Sequence, residues 1–322
     1  MKEFYLDNKF GRVIIVSDSH FVTYDGVGGY SSLQRLECLR DSLLREPDVD
    51  AVIAAGDLTT RNCKRGTPLD IVRVWKLAVA EPLTAAGIPV FALNASHDTL
   101  TADEFFTVFG YEHDYAIING DVTYICLDTY TGERDDTMQT TESDISDETL
   151  SDALEIIGRA DVKAAFVVCH RPNGGANLTR LIGNERVTAV VAGHSHNNFV
   201  TNVCAEGVDA DKKLLQTGHF SRGHTKCIHD GCGFKPFVPM MHGDGMTVSD
   251  RDGVTPIENF YRTGSPWQYR AVERTADGIE SYMIFPEVTY AEFESDGITF
   301  PAFTQPYARG YGDRSYIKFP IK

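Results

Sequence analysis

The chain has 322 residues, of which 42% are apolar and 24% charged, and its formal net charge at pH 7 is −16. That length can bury the core of one large α/β domain, and no apolar run approaches the ~20 residues that a membrane-crossing helix requires. Polyanion binders line the phosphate track with Lys and Arg, so 46 acidic against 30 basic residues disfavour long nucleic acid as a partner.

In chain order, the first strand expected is Arg12–Ser17, an apolar run that stops at Asp18-Ser19-His20. Gly26-Val27-Gly28-Gly29 follows and reads as a flexible loop, with a substrate-wrapping loop as the alternative. Leu33, Leu36, Leu43 and Leu44 recur at roughly helical spacing and predict a helix over Ser31–Glu46. A second strand, Ala51–Ala55, ends at Gly56-Asp57, and a second helix is expected over Leu69–Leu83. Between them, Lys64 and Arg65 are either phosphate contacts or solvated charges. The third strand, Pro89–Leu93, leads into Ser96-His97-Asp98.

Asn119-Gly120, flanked by Tyr115–Ile118 and Val122–Leu127, is a strong hairpin signal. Asp128–Asp161 holds 11 acidic and 2 basic residues, the pattern of a solvated acidic loop and helix face, and Ser146 followed by Asp147 and Glu148 caps a helix expected to reach Arg159. Two more strands, Ala164–Cys169 and Val187–Ala192, run into His170-Arg171 and into Gly193-His194-Ser195-His196. Hairpins are expected for Val200–Cys204 with Lys213–Thr217, and for Gln268–Glu273 with Glu280–Phe285. The 47 residues from His219 to Ser265 contain seven glycines and little periodicity, the pattern of either a functional insertion or a mobile segment. Within it, His224, Cys227, His229 and Cys232 read as incidental residues of a loop, with a compact zinc site as the alternative. The seven cysteines, odd in number and scattered, predict reduced thiols, and Met1–Asp7 lacks an apolar leader, so a cytoplasmic protein is expected.

Five of these segments place Asp and His directly after an apolar run. Residues i and i+2 of extended backbone point to one side, so Asp18 and His20 can converge on one cation, as can His194 and His196. Carboxylates and imidazoles together suit divalent metals, and α/β sheets bind ligands at the carboxyl ends of their strands. A single Asp-x-His would be weak evidence; five segments in order are not.

Taken together, Asp18-x-His20, Gly56-Asp57, Ser96-His97-Asp98, His170 and Gly193-His194-x-His196 resemble the calcineurin-like metallophosphoesterases, whose pattern is DxH, GD, GNHD, H and GHxH. The resemblance spans about Arg12 to His196 and implies a single domain over residues 1–322, a four-layer αββα sandwich of two mixed sheets flanked by helices, with the 219–265 insertion capping the site. It implies two divalent cations (Mn, Fe, Zn, Ni or Mg), one on Asp18, His20 and His196, the other on His170 and His194, with Asp57 shared. His97 becomes the general acid, with Asp98 orienting its ring. Ser96 stands where the family has asparagine and Ala95 where it has glycine. A serine hydroxyl is a poorer ligand for the second metal, with water or Asn94 as substitutes.

The implied activity is two-metal hydrolysis of a small phosphomonoester or phosphodiester, a nucleotide or cyclic nucleotide among the options, with a bridging hydroxide as nucleophile. Arg171 and His219 are the expected substrate contacts. The alternatives are a nuclease of the same family, which should show a basic groove, and a non-catalytic binding module that keeps the fold.

Overall fold

The computed structural model describes residues 1–7, 9–21, 32–59, 67–129, 144–172, 175–194, 200–203, 207–217, 267–290, 293–295, 298–300, 303–310 and 315–321. The glycine-rich 26–29 segment, Lys64, Arg65, the 219–265 insertion and its His/Cys cluster lie outside them.

The strands are β1 (Lys2–Tyr5), β2 (Arg12–Val16), β3 (Ala51–Ala54), β4 (Val90–Ala92), β5 (Tyr115–Asn119), β6 (Val122–Leu127), β7 (Ala164–Cys169), β8 (Val187–Ala192), β9 (Val200–Asn202) and β10 (Lys213–Gln216). They continue as β11 (Tyr269–Thr275), β12 (Gly278–Phe285), β13 (Val288–Tyr290), β14 (Phe293–Ser295), β15 (Ile298–Phe300), β16 (Phe303–Gln305), β17 (Ala308–Gly310) and β18 (Ile317–Phe319). One seven-stranded sheet has the order β1-β5-β6-β7-β8-β10-β9, and the other runs β17-β12-β11-β2-β3-β4 with β18 also on β12. Both are mixed: β6, β7, β8 and β10 run parallel, as do β1 with β5 and β2, β3 and β4, while β5 pairs antiparallel to β6, β9 to β10, and β11 to both β2 and β12. Two short pairs, β13 with β16 and β14 with β15, stand outside both sheets.

The layering follows from side-chain alternation. In the first sheet Ile117, Tyr124, Phe166, Val168 and Val191 belong to the core shared with the second sheet. Their neighbours Ile118, Ile125, Val167, Cys169 and Val190 join a separate core with Leu150, Ile157, Leu178 and Leu181. The last four sit on α5 (Asp147–Ile157) and α6 (Ala176–Gly183), which cover the outer face of that sheet. The second sheet is covered by α1 (Ser32–Arg45), α2 (Pro68–Trp75) and α3 (Glu81–Ala85), whose Leu36, Leu39, Leu43, Ile71, Trp75 and Leu83 are buried. The result is the expected α/β sandwich. The parallel strands β2, β3 and β7 are buried on both faces, so their sequences read as unbroken apolar runs.

All five expected strands and the three hairpins form, with ends shifted by a residue or two. Three local expectations change. The buried stripe of α1 is Leu36, Leu39 and Leu43, whereas Leu33 and Leu44 are 48% and 40% exposed. The helix expected over 69–83 is divided into α2, a π-helical stretch Lys76–Ala80, and α3. Pro82 supplies the reason: it has no N–H for the carbonyl of Ala78 and its ring would crowd that oxygen, which the wider π turn relieves. Third, part of the acidic stretch is structural. Asp144 accepts from the backbone N–H groups of Asn177 and Leu178 and so caps α6, whose own N-cap, Gly175, offers no side chain. Among the described residues no helix is long and apolar enough to cross a membrane.

Because Leu39 is buried and Leu33 exposed on the same helix, the two leucines should separate cleanly in urea unfolding. Leu39→Ala is expected to lower stability by about 2–5 kcal/mol and Leu33→Ala by no more than about 0.5 kcal/mol.

Candidate metal centre

Each motif begins where a parallel strand ends. Asp18 and His20 follow β2, Asp57 follows β3, Ser96 and His97 follow β4, His170 follows β7 and His194 follows β8. The pairing of β2 with β3 continues past the strand ends: Asp18 N–H donates to Gly56 O, His20 N–H to Asp57 O and Phe21 N–H to Leu58 O, at 2.9–3.0 Å. This locks the two motifs together. Ser19, between the two ligand candidates, points the other way, donating to Leu58 O and accepting from Trp75 Nε1.

The backbone here is unusual. Asp18, His20, Asp57, Thr99 and His194 all have φ between 44° and 65°, a left-handed region costly for residues other than glycine. Such turns let one strand end aim two side chains at a common point. Gly56 (φ 83°) and Gly193 provide close approach: a Cβ on Gly56 would lie 2.4 Å from Ala95 Cβ, and one on Gly193 2.6 Å from Ser17 Oγ. The alanine at 95 therefore packs against the glycine at 56.

At the centre lie two buried carboxylates, Asp18 and Asp57, and the buried ring of His170. His170 Nε2 is 3.1 Å from Asp57 Oδ2 and 3.9 Å from Asp18 Oδ1, and its Nδ1 donates to Ala55 O at 2.8 Å, which fixes the ring. His20 Nε2 is 3.6 Å from Asp18 Oδ1 and 3.8 Å from Asp57 Oδ2, and His97 Nε2 is 3.9 Å from the same Asp57 oxygen. The ligand atoms fall into two groups sharing one carboxylate: His20, Asp57 and His97, and Asp57, His170 and His194. Donors about 2.0–2.1 Å from a tetrahedral cation are about 3.4 Å apart, close to the 3.1–3.9 Å separations here. The donor types and separations fit a divalent cation at either group, and Asp57 is common to both.

Asp57 divides its oxygens. Oδ2 faces the imidazoles, while Oδ1 accepts from His97 N–H at 3.0 Å and from Ser96 Oγ at 3.3 Å. Ser96, expected as a weak ligand, thus directs its hydroxyl at Asp57. Asn94 is committed elsewhere, donating Nδ2 to Leu100 O and Asp128 Oδ2. Asp98, expected to orient His97, accepts from the backbone and hydroxyl of Thr59, and Thr59 Oγ1 also reaches His97 O. Thr59, absent from the motifs, pins the 97–98 turn to the end of β3.

Among these rings, His170 carries the charge that compensates the two carboxylates. Burial alone would raise the pKa of Asp57, yet the rings of His170 and His97 hold it well below the usual carboxylate range. Burial disfavours charge on His170 as well, but Asp57 and Asp18 push it up to about 10. His194, although the residue is exposed, moves the other way, lowered by partial desolvation of its ring and by the charge of His170. Asp98 is raised by burial and by its proximity to Asp57. Arg171 adds positive charge beside His194. His196 and His219 lie outside the described residues.

The family model for calcineurin-like phosphoesterases matches residues 11–198. No curated protein matches the sequence significantly. Among solved structures, vacuolar protein sorting 29 from Cryptosporidium parvum is 12% identical, covering 92% of this chain and 100% of its own, with a TM-score of 0.35. The zinc complex of vacuolar protein sorting 29 from Entamoeba histolytica is 11% identical, covering 91% of this chain and 98% of its own, with a TM-score of 0.32. The nuclease MPE of Pseudomonas putida is 15% identical, covering 65% of this chain and 74% of its own, with a TM-score of 0.30.

The tight junction at Gly56 gives a direct test of this geometry. Gly56→Ala would keep an unfavourable φ and drive a methyl group into Ala95, so a stability loss of about 1–3 kcal/mol is expected in denaturant unfolding.

Proposed function

Because this chain belongs to the calcineurin-like phosphoesterase family, we propose that it hydrolyses a small phosphomonoester or phosphodiester, of the size of a nucleotide or cyclic nucleotide, using two divalent cations. The observation that carries this reading is Asp57 Oδ2, a buried carboxylate oxygen 3.1–3.9 Å from the Nε2 atoms of His170, His20 and His97. A carboxylate so surrounded is suited to be shared between two cations.

In this reading Asp18, His20 and His196 hold one cation and His170 and His194 the other. Bound there, the cations would supply Lewis-acid polarisation of the phosphoryl oxygens and a water of lowered pKa. The protein's own groups do the rest. Asp57, fixed through Oδ1, keeps the two ligand groups at a constant separation. The side chain of His97 is 18% exposed where that of His170 is fully buried, so His97 faces the side open to substrate and would protonate the leaving oxygen. Arg171 would pair with a phosphoryl oxygen. Two divalent charges outweigh two carboxylates, so the site attracts phosphate in a protein whose net charge is −16. The same overall charge favours small substrates over long polyanions.

The test is to strip the protein with chelator, restore Mn, Zn, Ni or Mg, and assay model mono- and diesters, cyclic nucleotides and single-stranded DNA. Activity should return with at least one cation; no activity with any, together with less than one equivalent bound, would overturn the reading. Asp57→Asn is expected to lose both metal and turnover. His97→Ala should keep its metal and lose about 10²–10⁴-fold in rate on esters with poor leaving groups, with a smaller loss on nitrophenyl esters. Loss of metal from His97→Ala would make His97 a ligand instead.

A further inference from the structure

We infer that Ser17 and Thr217 are positioning residues, two buried hydroxyls in series that set the carboxylate of Asp18 for cation binding. Their exposures are 2% and 0%. Ser17 Oγ donates to Asp18 Oδ2. A serine hydroxyl has one proton, so the 2.5 Å contact between Ser17 Oγ and Thr217 Oγ1 runs with Thr217 as donor. Asp18 Oδ2 accepts a second bond from the backbone N–H of His194 at 3.0 Å. Two donors on Oδ2 fix the rotation of the carboxylate and turn Oδ1 toward His20 and His170, at 3.6 and 3.9 Å. Gly193 makes this approach possible, because a Cβ there would sit 2.7 Å from Asp18 Oδ2.

Thr217 is itself held by a part of the chain beyond the segment 11–198 that carries the family match. Its N–H donates to Ala192 O at 2.9 Å, which keeps the end of β10 beside the end of β8. The preceding carbonyl, Gln216 O, accepts from Arg270 Nε at 2.8 Å. Arg270 is fully buried on β11 and donates NH1 to Ser281 Oγ and Ser315 O, both at 3.0 Å. A continuous set of hydrogen bonds therefore runs from β12 and Ser315, through Arg270 and the end of β10, to Asp18. The C-terminal strands thereby take part in shaping the centre although they contribute none of its ligand candidates.

Hydroxyls that only filled the core would affect the metal-free fold and leave cation affinity alone; groups that hold a ligand carboxylate affect the affinity. The inference rests on Asp18 holding a cation, as proposed above, and the experiment separates the two. Full-length protein is stripped of metal and titrated with Mn²⁺ and with Zn²⁺ by calorimetry, with melting of the stripped protein recorded in parallel. Thr217→Val keeps the shape and removes the donor. It is expected to weaken cation affinity by about tenfold or more, whereas Thr217→Ser, which keeps the hydroxyl, should bind as wild type does. Ser17→Ala removes the next hydroxyl without altering β10, should show the same loss, and decides the question if Thr217→Val does not fold. Wild-type affinity in Ser17→Ala and in any folded Thr217→Val would overturn the relay and leave the phosphohydrolase reading intact. Failure of the wild-type protein to take up either cation would overturn both.

Discussion

Two carboxylates buried close to one imidazole set the terms for the rest of this structure. Asp18 and Asp57 have almost no contact with solvent, and His170 lies within 4 Å of both. Removing two negative charges from water is costly unless positive charge replaces the lost solvation. In the absence of a cation, His170 provides it, with a pKa raised to about 10. A divalent cation held as proposed would supply the same compensation more strongly and would need the ring as a neutral ligand, so its binding would be linked to release of a proton from His170. The ion pair of His170 with the two carboxylates thus occupies the place that the proposed cations would take.

The two sheets bring these groups together at the ends of their strands. Parallel strands that lie side by side end at one edge, and the turn after each offers one or two side chains to the same space. The first sheet contributes His170 and His194, the second Asp18, His20, Asp57 and His97. Convergence across the sandwich demands sharp turns, and five non-glycine residues at the centre take left-handed backbone conformations. The strain is offset by the neighbouring pairs Asp18–Gly56 and His20–Asp57, which hydrogen-bond across the two turns. Rigid backbone of this kind keeps ligands in place whether or not a cation is present.

Much of this was legible in the sequence because burial on both faces gives a parallel strand an unbroken apolar run, and the motifs begin where those runs stop. The Asn119-Gly120 hairpin was equally plain. Other elements left weaker traces. Helix α4 (Ala102–Phe109) has a capping box of Thr101 and Glu104 at its start, but its eight residues are too few to establish a period in the sequence. Edge strand β1 is only four residues long and half exposed, so its pattern resembles that of a loop. In α1 an abundance of leucines obscured which of them face inward. Thr59, Ser17 and Thr217 were invisible for a different reason: their roles depend on partners 39 to 200 positions away, and no local spacing encodes those contacts.

The serine at 96 shows how one position can change its task while the surrounding centre persists. An asparagine there would extend an amide oxygen beyond the backbone; the shorter hydroxyl of Ser96 reaches Asp57 Oδ1 instead. Asn94 does not take over, since its amide ties Leu100 to Asp128 and holds the loop that carries His97. In the proposed reading the His170 and His194 side would lack one neutral oxygen, while Asp57 is held by two protein donors on the oxygen turned away from the imidazoles. Asp18 follows the same plan, with Ser17 and the His194 amide on one oxygen and the imidazoles near the other. Both carboxylates are thus oriented by protein donors alone, so any asymmetry of the proposed centre would lie in the number of its ligands rather than in their order.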